Sequence, residues 1–78
     1  MSIEEDHIID GVCYRLTVED GPFPHRYHWY VWLPEESGGP VIAESRALEG
    51  CLYPEQSGRA TIKRIAARKR EEMEVRHE

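Results

Sequence analysis

Hydrophobic and polar residues alternate along two stretches of this chain, and the alternation predicts two β-strands. Every second residue of the stretch 12–19 is apolar or aromatic, and the same period of two recurs over residues 27–33. Such a period places alternate side chains on opposite faces of a sheet. Residues 20–24 lie between the two stretches, and their glycine and two prolines favour a turn over a strand. A third, shorter strand is predicted at residues 41–46, after a Gly-containing turn.

One helix is expected after the strands. Ile62, Ile65 and Ala66 lie near one stripe of a helical repeat, which predicts a helix over residues 58–73. Ser57 precedes this segment, and serine is a favoured N-cap residue. The fold class that follows is α+β: a small antiparallel sheet of about three strands, in β-β-β-α order, with the C-terminal helix packed on one face.

The length of the chain, 78 residues, predicts a single domain with one thin core. Residues 1–10 are polar and acidic, so we expect a flexible or edge segment there. The domain itself is predicted over residues 11–74, followed by a short tail at residues 75–78. The course of residues 47–56 stays open, because a glycine and a proline within it argue against a long regular element.

The strand register is predicted by keeping apolar side chains on one face. We expect Val18 to lie opposite Tyr27 and Val41 opposite Leu33, because a slip of one residue would bury charged side chains. The other face then carries aromatic and arginine side chains, which are enriched at the centres of protein interfaces. The predicted partner-binding residues on this outer face are Arg15, His28, Tyr30, Trp32, Ile42, Glu44 and Arg46.

Charge is segregated along this acidic chain. The net charge is −5, yet residues 59–70 carry six positive side chains and no acid. Clustered Lys and Arg are typical of phosphate binding, so an alternative prediction is nucleic-acid binding through the helix. Its residues would be Lys63, Arg64, Arg68 and Arg70. These charges are spread around the helix and acidic residues follow at once, which favours a solvated helix face with i,i+4 ion pairs.

Three segments of the chain together resemble a known family. An aromatic stretch at residues 27–32 is followed by a Gly-containing turn, by Val-Ile-Ala-Glu-Ser at residues 41–45, and by Ser57 at the start of a helix. This pattern resembles the YegP-like family of small bacterial domains. The resemblance implies a short meander packed on a helix and carries over no functional site. Residues 47–56 and Arg68 depart from the family pattern.

The chain shows no motif with the spacing of a catalytic site, so we expect no enzyme activity and no cofactor. Residues 37–40 lack the following helix and lysine that a phosphate-binding loop requires. Cys13 and His28 would share the outer face, but no third group orients the histidine. His25, His28, Cys13 and Cys51 have the atom types of a zinc site, yet neither cysteine has a close partner and no metal site is predicted.

Cysteine usage and the N-terminal sequence predict where the protein works. Two cysteines suit a reducing cytosol, and a disulfide between Cys13 and Cys51 is the less favoured alternative. The first residues are acidic, whereas a secretory signal begins with basic residues and an apolar stretch. No apolar run reaches the length that spans a bilayer. We therefore expect a cytoplasmic protein with no membrane partner.

These observations predict a non-catalytic protein-binding module that acts through its outer sheet face, where Arg15 would contact Tyr30 by a cation–π interaction. The acidic surface would steer association towards a basic or nucleic-acid-associated protein. One version is a small acidic inhibitor of a nucleic-acid-handling machine, in the manner of phage anti-CRISPR proteins. Two alternatives stay open: residues 47–56 cover the outer face, or a homodimer closes through it.

Overall fold

The computed structural model describes residues 3–36, 39–46 and 48–75 as a four-stranded antiparallel sheet with one helix packed on it. The α+β class is confirmed, with one strand more than expected. The strands follow one another in the sheet in chain order, so the connections are simple hairpins and turns. The elements are β1 (Ile3–Ile9), β2 (Val12–Asp20), β3 (Tyr27–Trp32), β4 (Val41–Glu44) and α1 (Pro54–Val75).

The additional strand, β1, lies at the edge of the sheet and pairs with β2 over seven residues. Asp10 and Gly11 connect the two strands, with φ values of 51° and 78°. Positive φ at both positions suits a two-residue hairpin, for which Asp-Gly is a strong sequence signal. The sequence of β1 shows no apolar alternation, because Glu5 and His7 share the helix-side face with Ile3 and Ile9, whereas Ile8 lies on the outer face.

The core lies between the helix and the two central strands. Tyr14, Leu16 and Val18 of β2 are almost fully buried, as is Ile62 of α1. Gly58 allows the helix to approach β2 closely, because a Cβ at this position would overlap the side chain of Leu16. The buried core residues are Tyr14, Leu16, Val18, Trp29, Val31, Leu33, Ile62 and Ala66.

The register between β2 and β3 differs from the prediction by two residues. Val18 lies opposite Trp29 and not opposite Tyr27. A shift of two keeps every side chain on its expected face, because the side-chain period of a strand is two. Apolar alternation therefore selects the face but does not distinguish registers that differ by an even number.

The register between β3 and β4 is as predicted for Ala43, which lies opposite Val31. An irregularity between Val31 and Trp32 then places Val41 opposite Trp32. Val41 is 56% exposed, whereas the predicted register placed it opposite Leu33 on the core face. A bulge of this kind is common at the edge of a sheet and cannot be inferred from alternation.

The helix begins at Pro54, four residues before the predicted start. Proline suits the first turn of a helix because its missing N–H has no intrahelical partner there. Ser57 lies within the first turns and is not the N-cap; its backbone N–H donates to the Tyr53 carbonyl at 3.2 Å. Before the helix, Cys51 pairs with Tyr27 as an isolated bridge beside β3.

Candidate partner-binding surface

The outer face is the side of the sheet opposite α1, and its centre carries Arg15, Thr17, Tyr30 and Trp32. The helix packs against the other face through the buried residues of β2 and β3. All four outer-face side chains are half-buried in the chain. The structure thus places Arg15, Tyr30 and Trp32 on one surface, as predicted.

Trp32 is held in place from three directions. Its indole Nε1 donates a hydrogen bond to Thr17 Oγ1 at 2.9 Å. The guanidinium carbon of Arg15 lies 5.1 Å from the ring centroid, a cation–π contact. On a third side the backbone at Gly39 is close, since a Cβ there would lie 3.3 Å from the ring. A side chain restrained in this way loses little rotamer entropy when a partner covers it.

Arg15 contacts Trp32 and not Tyr30, because the two-residue shift in register places Arg15 opposite Trp32. Its Nε and Nη2 donate to the two Asp6 carboxylate oxygens at 2.7 and 3.0 Å. Glu4 lies 3.4 Å from the same Nε. The hydrogen bond with Arg15 lowers the pKa of Asp6 and raises the pKa of Arg15. Arg15, a predicted partner-binding residue, is therefore already paired with acids of β1.

Of the other predicted partner-binding residues, Glu44 borders this centre opposite Tyr30. His28 Nδ1 is 3.1 Å from Ser45 Oγ, so the histidine is tied to the segment after β4. Ile42, Glu44 and Arg46 line a groove between β4 and α1. The predicted set is thus divided between the outer face and the edge of the sheet.

The described part of the segment 47–56 does not cover the outer face. Leu48 is 91% exposed and makes no cover for the aromatic residues. Leu52 and Tyr53 line a depression on the helix side of the sheet, together with Ile3 and Val18. The aromatic centre of the outer face therefore stays accessible within this part of the chain.

The basic helix is partly neutralised by the N-terminal hairpin. Arg59 donates from Nε and Nη2 to the Glu5 carboxylate at 2.8 and 2.6 Å. This pairing, with a further hydrogen bond to His7, lowers the pKa of Glu5 to about 2. Arg70 Nη2 donates to Asp10 Oδ1 at 2.7 Å.

Three residues of the alternative nucleic-acid set remain at the helix surface. Lys63, Arg64 and Arg68 are exposed. Arg70, the fourth member, is bound to the β1–β2 turn through Asp10.

The geometry gives no support to a cysteine–histidine pair. Cys13 and Cys51 are free thiols, and Cys13 is buried opposite Ile8. Burial raises the pKa of Cys13, and the nearby Asp6 carboxylate raises it further, so the thiolate is disfavoured. His28 lies opposite Glu19, at the far end of β2 from Cys13. Among the described residues, no group of three or more His, Cys, Asp or Glu side chains is placed to hold a metal ion.

Comparisons with known proteins identify no relative: no protein-family model, no curated protein and no solved structure matches the chain. The resemblance to YegP-like domains therefore stays a prediction. In the described part of the chain, no helix has the length and apolar character needed to cross a membrane.

Proposed function

We propose that this protein is a non-catalytic module that binds another protein through its outer face. The observation that carries the proposal is the restrained, half-buried Trp32 beside Tyr30, on a sheet face that the helix leaves uncovered. Tryptophan, tyrosine and arginine dominate the energetics of protein interfaces when they are held in place. A preorganised aromatic centre of this kind is typical of binding surfaces.

The surroundings of this centre favour a basic partner. Glu4 and Asp6 of β1 flank it on one side and together exceed the single charge of Arg15. Glu44 lies opposite Tyr30 on the other side. Negative charge around an aromatic centre steers a positively charged surface towards it and raises the association rate. A small acidic inhibitor of a nucleic-acid-handling protein, acting like an anti-CRISPR protein, is one form of this function.

The test is a pull-down from bacterial lysate with the tagged chain, with and without nuclease. We expect a discrete protein that survives nuclease and is lost with the double variant Tyr30→Ala, Trp32→Ala. Tyr53→Ala is the matched control, because Tyr53 is 67% exposed but lies on the helix side. Circular dichroism checks that each variant is folded.

If the double variant unfolds, Tyr30→Ala alone decides the test, since it leaves the hydrogen bond between Trp32 and Thr17 in place. A folded outer-face variant that retains the partner as well as Tyr53→Ala does would refute the proposal.

A second candidate function, nucleic-acid binding, is favoured by the exposed cations Lys63, Arg64 and Arg68 on the helix. It predicts retained material that disappears with nuclease, and an affinity that falls steeply with salt. A flat salt response, or no binding of oligonucleotides at low salt, would remove it.

A further inference from the structure

A groove of about 620 Å³ runs between the edge strand β4 and the helix, on the opposite side of the domain from the β1 edge. Its floor is apolar and its rim is charged. Val41 and Ile42 at its edge are 56% and 38% exposed. The residues that line it are Trp29, Val41, Ile42, Ala43, Glu44, Arg46, Thr61 and Arg64.

Trp29 is a buried residue at the floor of the groove. Trp29 is only 7% exposed, and its indole Nε1 has no hydrogen-bond partner among the described residues. A buried N–H of this kind costs free energy unless an acceptor satisfies it. Thr61 also lines the groove, and its hydroxyl donates to the Ser57 carbonyl at 2.8 Å. Because Trp29 Nε1 is sealed from solvent, the indole contributes an apolar floor to the groove and offers no donor to a ligand.

The rim of the groove carries unneutralised positive charge on an acidic protein. On the β1 side of the helix, Arg59 and Arg70 are paired with acids of the hairpin. On the β4 side, Arg46, Arg64 and Arg68 make no ion pair with any residue that the structure describes. Arg64 and Arg68 are one helical turn apart and so share a side of the helix. Among the described residues that line the groove, Glu44 is the single acid.

We propose that this groove binds a short acidic segment of a partner polypeptide. A carboxylate of the segment accepts hydrogen bonds from Arg64 or Arg46, and a neighbouring apolar residue covers Val41 and Ile42. β4 is only four residues long and its pairing with β3 is irregular, so side-chain contacts and not strand addition supply the recognition. The exposed rim suits a polypeptide that continues along the surface, whereas a small ligand needs a more enclosed pocket.

This site is distinct from the aromatic centre of the outer face, although Glu44 borders both, and its failure would leave the proposed function untouched. The probes are acetylated, amidated hexapeptides with one Asp placed among Leu and Ala at each position in turn, and the same peptides with Asn. Binding to the full chain is followed by the chemical shifts of the Trp29 indole N–H and of the β4 amides. We expect the Asp peptides to move these signals and the Asn peptides to bind about three- to fivefold more weakly.

Matched variants locate the contact. Arg64→Gln is expected to weaken binding of the Asp peptides about three- to fivefold, because it removes one exposed ion pair. Lys63→Gln removes the same charge from the neighbouring residue on the β1 side and should leave the affinity unchanged. Tyr53→Ala, in the depression on the other side of the helix, should also have no effect.

Three results would overturn the inference. The first is that no peptide moves the Trp29 indole signal at millimolar concentration. The second is an equal effect of Lys63→Gln and Arg64→Gln, which would show general charge attraction. The third is that another class of ligand fits the groove better. Benzoate that binds as tightly as the peptides, or an oligonucleotide that binds more tightly, would show this.

Discussion

The close approach of the helix to β2 at Gly58 predicts that adding one methyl group will destabilise the protein. A Cβ on Gly58 would overlap Leu16 Cδ1 and lie 2.9 Å from Cδ2. Carbon atoms in contact are about 3.5–4.0 Å apart, so either the helix or Leu16 must move by roughly 1 Å. Leu16 has no exposed surface, and the packed core leaves it no empty space to occupy.

The magnitude follows from two opposing effects of Gly58→Ala. Overpacking a core costs about 1–3 kcal/mol. Alanine in place of glycine within a helix stabilises by about 1 kcal/mol. We therefore expect a net loss of about 1 kcal/mol, which corresponds to a decrease in Tm of about 4–8 °C for a domain of this size.

The assay is urea unfolding of four chains: the natural protein, Gly58→Ala, Leu16→Val and the double variant. Leu16→Val removes the atoms that the new methyl group would meet, so in that background Gly58→Ala should become neutral or stabilising. Ala60→Gly, at an exposed position of the same helix, measures helix propensity alone and should cost about 1 kcal/mol. Stabilisation of the natural protein by Gly58→Ala would refute the reasoning, because it would show that the contact with β2 is loose.

Three further predictions concern the hairpin and the thiols. The pKa of Glu5 is lowered from 4.5 to about 2, so its pairing with Arg59 stabilises the fold fully above about pH 4.5, and this stabilisation is lost as the pH falls towards 2. Because Arg59 is 44% exposed, we expect the pairing to contribute only about 1–2 kcal/mol to the free energy of unfolding. Glu5→Gln should therefore flatten the acid limb of a stability–pH curve. Gly11→Ala forces a side chain into a positive φ of 78° and should cost about 1–2 kcal/mol in urea unfolding; an unchanged midpoint would show that the turn relaxes freely. Cys51, which is partly exposed, should react with a thiol reagent well before the buried Cys13, and equal rates for the two would contradict the burial of Cys13.

Arg15 and Trp32 show how much of the candidate site could be predicted from the sequence. Alternation alone placed both residues on the outer face, and the structure confirms this. Their contact with each other depends on a register two residues away from the predicted one. The pairing of Arg15 with Asp6 depends on β1, which was expected only as a flexible or edge segment.

The groove beside β4 could not be predicted from the sequence, for a different reason. The chain shows six cations between residues 59 and 70 but not which of them have partners. Glu5 and Asp10 neutralise Arg59 and Arg70 across distances of more than fifty residues along the chain. Such pairs depend on where the hairpin lies beside the helix, and local patterns carry no information about that placement.

The sequence by itself shows where apolar side chains recur with a period of two or of 3.6 residues. These periods determined the two central strands, their buried face and the helix. That information is local, because the period of a strand or helix is a property of a few consecutive residues. The tertiary structure alone decided the register of β2 on β3, the bulge beside Trp32, and the division of the helix cations between β1 and the open groove. These features depend on contacts between segments that are distant in the chain. Registers that differ by two residues keep every side chain on the same face, so only packing and charge pairing select one of them.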